Sequence, residues 1–231
     1  MTSKLALASS LLLGSLAGCD SQVDAGHQGT ALATLGGSVR NTRTLATGDA
    51  EVVVLWHNSS GSPDLTGTDS VEVEGSFPAQ FRLSIYQPPE VELLNDWNGV
   101  KFGVAYIIAA TPGTDVSDDD AAGLLGIDAN HLLVYLPEDV PAGSEVATFL
   151  RGTPRAGFHI YGVHKLTDAE QQDRQLCEDG LGADATLDEI YSTCGGAAYF
   201  DDFVPLDTDL DTNLEVELVD DIDDVDVPNW T

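Results

Sequence analysis

Carboxylates at alternate positions are the first feature of this chain that could do chemistry. In Asp207-Thr208-Asp209-Leu210-Asp211-Thr212-Asn213-Leu214-Glu215, the side chains of Asp207, Asp209 and Asp211 follow the spacing of the first half of a calcium loop. Calcium takes hard oxygen ligands, and an EF-hand loop also needs Gly at its sixth position and a bidentate Glu at its twelfth. Counted from Asp207, those positions hold Thr212 and Leu218. An exposed strand face produces the same alternation, with every second carboxylate in water. The solvated face is the expectation here and a calcium site the alternative. A second acidic cluster, Asp118 to Asp120, would add ligands only if the fold brought it close.

Cysteine offers a second chemistry. Cys177 and Cys194 are flanked by helix signals: Thr167-Asp168-Ala169-Glu170 is a capping box, in which the Thr hydroxyl and the Glu carboxylate each satisfy a free amide at a helix start. A second box stands at Thr186-Leu187-Asp188-Glu189. The first helix is predicted to run to about Cys177 and stop near Gly180, the second to end at Cys194 before Gly195 and Gly196. A disulfide between the two cysteines is expected, closing a loop worth roughly 3 kcal/mol in the chain-entropy model. Zinc or catalytic thiol chemistry would call for a C-x-x-C pair or further ligands at metal spacing, which are missing.

Histidine and tryptophan carry less. His159 and His164, five positions apart on a predicted strand, point to opposite faces. His57 ends an apolar run and His131 begins one, where a hydrogen-bonded structural role is expected. Trp56 belongs to an apolar strand and reads as core, whereas Trp97, in Asn95-Asp96-Trp97-Asn98-Gly99, reads as a turn residue that is either a sugar platform or a cover for one end of the fold. The sequence contains no G-x-S-x-G, H-E-x-x-H or P-loop, so the usual hydrolase and nucleotide signals are absent. The expectation is a protein that is not an enzyme, with a cryptic hydrolase as the third reading.

Cys19 stands apart. Lys4 supplies a positive start, Leu5 to Leu16 an apolar and small-residue core, and Leu16-Ala17-Gly18-Cys19 resembles the processing site of bacterial lipoproteins. A transmembrane helix would need about 20 mainly apolar residues, and this run is shorter and interrupted by Gly14, Gly18 and serines. The reading is a signal peptide over 1–18, lipidation at Cys19, and a small, polar tether over 19–30. Each buried methylene contributes about 0.8 kcal/mol, so two or three acyl chains would hold the protein to a membrane of the bacterial cell envelope, on its periplasmic side or outer surface. Asp20 resembles the inner-membrane retention residue of enteric lipoproteins, which leaves the leaflet open.

Removing the first 18 of 231 residues leaves 213, enough for one large or two small domains, and a hydrophobic content of 42% is ample for a core. Against 39 Asp and Glu stand 9 Lys and Arg, for a formal charge of −30. Such a surface repels phosphates, which excludes nucleic acid as a partner. Cations, basic proteins and neutral glycans fit; solubility alone would also account for the charge.

These residues must be positioned by strands. Short runs rich in Val, Ile and aromatics, parted by Gly, Ser, Pro, Asn and Asp, are predicted as strands at Leu35 to Arg40, Ala50 to His57, Ser70 to Glu74, Phe81 to Tyr86, Val100 to Ala110, His131 to Leu136, Glu145 to Leu150, Gly157 to His164 and Asn213 to Val219. Val52 to Trp56 and Val104 to Ile108 are continuously apolar and read as central strands covered on both faces. The expected fold is mainly β, a β-sandwich of immunoglobulin or transthyretin kind over 31–219, with a disulfide-linked helical insert over 167–195, a possible division near 112 and an acidic tail over 220–231.

Three segments together, Gly37-Ser38-Val39, Ala50-Glu51-Val52-Val53-Val54-Leu55 and Phe77-Pro78-Ala79-Gln80-Phe81-Arg82-Leu83-Ser84-Ile85-Tyr86, resemble the small sandwich domain of YbaY-type bacterial lipoproteins. The resemblance covers about residues 35–110 and implies fold and location; it carries over no catalytic residue. The acidic style of the chain also resembles secreted lipoproteins of myxobacteria. Function is therefore expected to be a non-enzymatic interaction or structural role at the envelope, with a calcium-dependent adhesion or glycan-binding lipoprotein as the alternative.

Overall fold

The computed structural model describes residues 29–44, 48–58, 65–116, 123–164, 167–182, 185, 193–194, 202–206 and 213–221. Its strands are β1 (Ala33–Asn41), β2 (Ala50–His57), β3 (Leu65–Val73), β4 (Ala79–Ile85), β5 (Asn95–Trp97), β6 (Val100–Ala110), β7 (Leu124–Ile127), β8 (His131–Leu136), β9 (Gly157–His164), β10 (Asp202–Pro205) and β11 (Asn213–Leu218). Two α-helices, α1 (Glu145–Phe149) and α2 (Asp168–Leu181), and a short 3-10 turn at Val91–Leu93 complete the described elements. The chain is mainly β with a small helical segment linked by a disulfide.

Hydrogen bonding runs in the order β10-β9-β8-β6-β7-β11-β1-β4, with β2 on β6 and β3 on β2. β3, at the free end of that branch, and β4, at one end of the path, pack against each other and bring the sheet nearly to closure. Asp69 of β3 accepts a hydrogen bond from the Tyr86 amide just past β4, and burial raises the pKa of its carboxyl. The two facing layers are thus parts of one coiled sheet. Strands from both sides of residue 112 alternate within it: β1 lies between β11 and β4, and β6 between β2 and β8.

The period of two along each strand decides what fills the interior. Leu35 and Val39 of β1, Val52, Val54 and Trp56 of β2, Phe81, Leu83 and Ile85 of β4, Ala105, Ile107 and Ala109 of β6, and Leu214, Val216 and Leu218 of β11 form one buried cluster. Register enforces it: Val52, Val54 and Trp56 stand opposite Ala109, Ile107 and Ala105. The intervening residues Val53, Leu55 and Ile108 face outward, yet Val116 and Ile127 cover them. That double covering is why β2 and β6 read as unbroken apolar runs. Trp56 is core, with its indole N–H donating to Thr68 Oγ1 at 3.0 Å.

A third cluster covers the outer face of β6 and β8, and here the expectation of a strand at Glu145 to Leu150 fails. The segment is α1: Ser144 caps it by accepting the Ala147 amide at 3.1 Å, and Val146, Phe149 and Leu150 turn to one side. Val146, Thr148 and Leu150 alternate as a strand would, but burial of Phe149 selects the helical period. Asn95-Asp96-Trp97 is likewise β5 rather than a turn. The reversal is confined to Asn98 and Gly99, whose φ angles of 52° and 84° give the left-handed pair that a two-residue hairpin needs. Trp97 is half-buried, edge-on to Phe102 at 4.9 Å and Phe149 at 5.0 Å, and so packs onto the cluster over β6 and β8.

Candidate functional site

The most constructed polar arrangement among the described residues surrounds Asp128, which the sequence reading passed over. Asp128 is fully buried, at 0% exposure. Its own amide donates to Ile107 O at 2.8 Å, which seats the turn from β7 to β8 against β6. The carboxylate gathers three donors: the Asn130 amide at 2.9 Å, the Glu215 amide at 2.9 Å and His131 Nδ1 at 2.9 and 3.0 Å. A carboxylate only accepts, so Nδ1 carries the proton in this pair.

Why these residues meet follows from the strands. β7 and β11 pair only at Glu217 with Ile127 and Leu218 with Gly126. Past Ile127 the chain must turn, and a backbone carbonyl no longer reaches Glu215. The Asp128 side chain takes over that bond, while its contact with Asn130 closes the turn. Gly126 allows the close approach: a Cβ there would fall onto the Glu217 carbonyl oxygen. His131 begins β8 on the face shared by Leu133 and Tyr135 and, as expected for a histidine in that place, is hydrogen-bonded within the structure.

An aspartate orienting a histidine is the supporting half of a general-base arrangement; the other half is a nucleophile within hydrogen-bond reach. What the geometry shows here is a pin. It joins the β7–β8 turn to β11, which in turn runs parallel to β1. Glu215 contributes through its amide, while its carboxylate pairs with exposed Arg40 at 2.6 Å. His159 is similarly occupied, donating from Nε2 to Arg155 O at 2.6 Å. His57 ends β2, where its carbonyl accepts from Asn95 Nδ2 at 3.3 Å. Among the described residues, no group of three or more His, Cys, Asp or Glu could hold a metal ion, and no helix is long and apolar enough to cross a membrane.

Cys177 and Cys194 are disulfide-bonded, with Cα atoms 5.8 Å apart across a separation of 17 residues. The capping box is formed: the Thr167 amide donates to Glu170 Oε2 at 2.8 Å and the Glu170 amide to Thr167 Oγ1 at 3.4 Å. The helix continues past Cys177 to Leu181, where Gly182, with φ of 92°, ends it. Asp220 opens the acidic tail by accepting the Thr44 amide at 3.0 and 3.2 Å, a contact that with nearby Arg43 holds its carboxyl below the usual range. Cys19, Asp118 to Asp120, the second capping box, and Asp207, Asp209 and Asp211 lie outside the described residues.

No protein-family model, curated protein or solved structure matches this chain.

Proposed function

We propose that this chain is a lipid-anchored protein of the bacterial cell envelope that serves as a non-enzymatic interaction or structural module. The observation that carries the reading is Leu16-Ala17-Gly18-Cys19 behind Lys4 and an apolar run. The joined Cys177 and Cys194 support it, because disulfides persist in exported proteins and are rare in a reducing cytosol. Asp128 joins the β7–β8 turn to β11 and orients His131 through its Nδ1. The excess of carboxylates then favours basic proteins or glycans as partners over nucleic acid.

The test is metabolic labelling with a radioactive fatty acid in a bacterial host. The native chain is expected to take up label and lose residues 1–18. Cys19→Ser is expected to remain an unlabelled, full-length precursor. Equal incorporation into the variant would refute the reading.

A further inference from the structure

Helix α2 owes its place to covalent chemistry more than to packing. At its described side chains every position is exposed except Cys177 and Leu181, which are half-buried, and Leu176 is 61% exposed. None of the three buried clusters includes a described residue of α2. A helix of 14 residues is marginal in water when it buries no apolar face. Its capping box holds only the first turn. The bond from Cys177 to Cys194 crosses to a segment 17 residues on and so constrains the C-terminal half.

We propose that the Cys177–Cys194 bond is a redox-controlled latch, whose reduction by a dithiol unfolds α2 while the sheet stays folded. A thiolate of the dithiol attacks one cysteine sulfur. The S–S bond breaks, and the other cysteine leaves as a thiolate that takes up a proton. The second thiol of the reagent then displaces the first cysteine from the mixed disulfide. Two electrons pass to the protein, which ends with two thiols, and the dithiol ends as a disulfide. Both cysteines are half-buried, and neither belongs to a buried cluster that would shield the bond from such a reagent. The latch is independent of the lipid anchor and would operate on an unanchored form of the chain.

The experiment is hydrogen exchange on the purified protein before and after an excess of dithiothreitol, with thiols counted by alkylation and mass spectrometry. Two additional alkylatable thiols are expected. Amides of 168–181 should exchange faster by on the order of a hundredfold, the change in opening equilibrium that loop entropy implies, while those of β2 and β6 keep their protection. Reoxidation should restore α2. The double variant Cys177→Ser, Cys194→Ser should exchange fast in α2 with or without dithiol. Unchanged α2 exchange in the fully reduced protein or the double variant would overturn the proposal. So would a folded protein whose bond resists dithiol, or loss of protection in the sheet together with α2.

Discussion

Replacing Asp128 tests whether one buried side chain joins two parts of the sheet. In Asp128→Ala, the Glu215 amide, the Asn130 amide and His131 Nδ1 all lose their acceptor. Asn130 is exposed, so water replaces its partner at little cost. The other two donors are partly buried, and a hydrogen bond to a charged group is worth about 1.5–3 kcal/mol. The sum is about 3–6 kcal/mol. Asp128→Asn should be milder. Its oxygen can take the place that faces Glu215, and its amide can donate to His131 in the other tautomer, so only the turn bond to Asn130 is lost. Because the two remaining bonds are no longer charge-assisted, a cost of about 1–2 kcal/mol is expected. For a chain of this size each kcal/mol shifts Tm by about 2–4 °C, so the alanine variant should melt roughly 10 °C below the native protein and the asparagine variant only a few degrees below. Denaturant titration and calorimetry measure both, and hydrogen exchange at Glu215 reports the local event. If Asp128→Ala lies within about 1 kcal/mol of native and the Glu215 amide keeps its protection, the carboxylate is not a pin and the reasoning fails.

Two further expectations concern the core. Burial of Tyr161 raises its pKa to about 12. The unfolded chain therefore releases that proton first, and this contribution to stability, complete below pH 10, should be lost between about pH 10 and 12; Tyr161→Phe should flatten the alkaline limb of stability against pH, and an unchanged slope would refute the assignment. Gly126→Ala places a methyl group against the Glu217 carbonyl, where neither backbone can yield without breaking the β7–β11 pairing. A loss of about 3 kcal/mol or more is expected in denaturant unfolding, and a near-native midpoint would show that the strands can part at no cost.

Local residue patterns account for much of this structure. The bounds Ala50–His57, Val100–Ala110, His131–Leu136 and Gly157–His164 are legible because each is an apolar or alternating run between breakers. The capping box at Thr167 and the pairing of Cys177 with Cys194 are legible for a similar reason, since both depend on neighbours close in the chain. β5, β7 and β10 escaped because they are short and their apolar signal is broken by Gly126, by Asn and Asp, or by Pro205. β7 and β10 take their strand state from partners remote in the chain, whereas β5 takes it from β6 across the two-residue reversal at Asn98 and Gly99.

The sequence by itself determined which residues alternate, which runs need covering on both faces, and where the chain must turn. Only the tertiary structure decided that Glu145 to Phe149 coils, that Trp97 packs edge-on against Phe102 and Phe149, and that β1 runs parallel to β11 from the opposite end of the chain. It also decided the role of Asp128. In the sequence Asp128 is one of 39 acidic residues, and nothing adjacent marks it. It becomes singular when the β7–β11 ladder stops two residue pairs in and leaves the Glu215 amide, 87 positions away, in need of an acceptor. Periodicity is a property of neighbours, whereas the satisfaction of a buried donor is a property of whatever the fold brings to it.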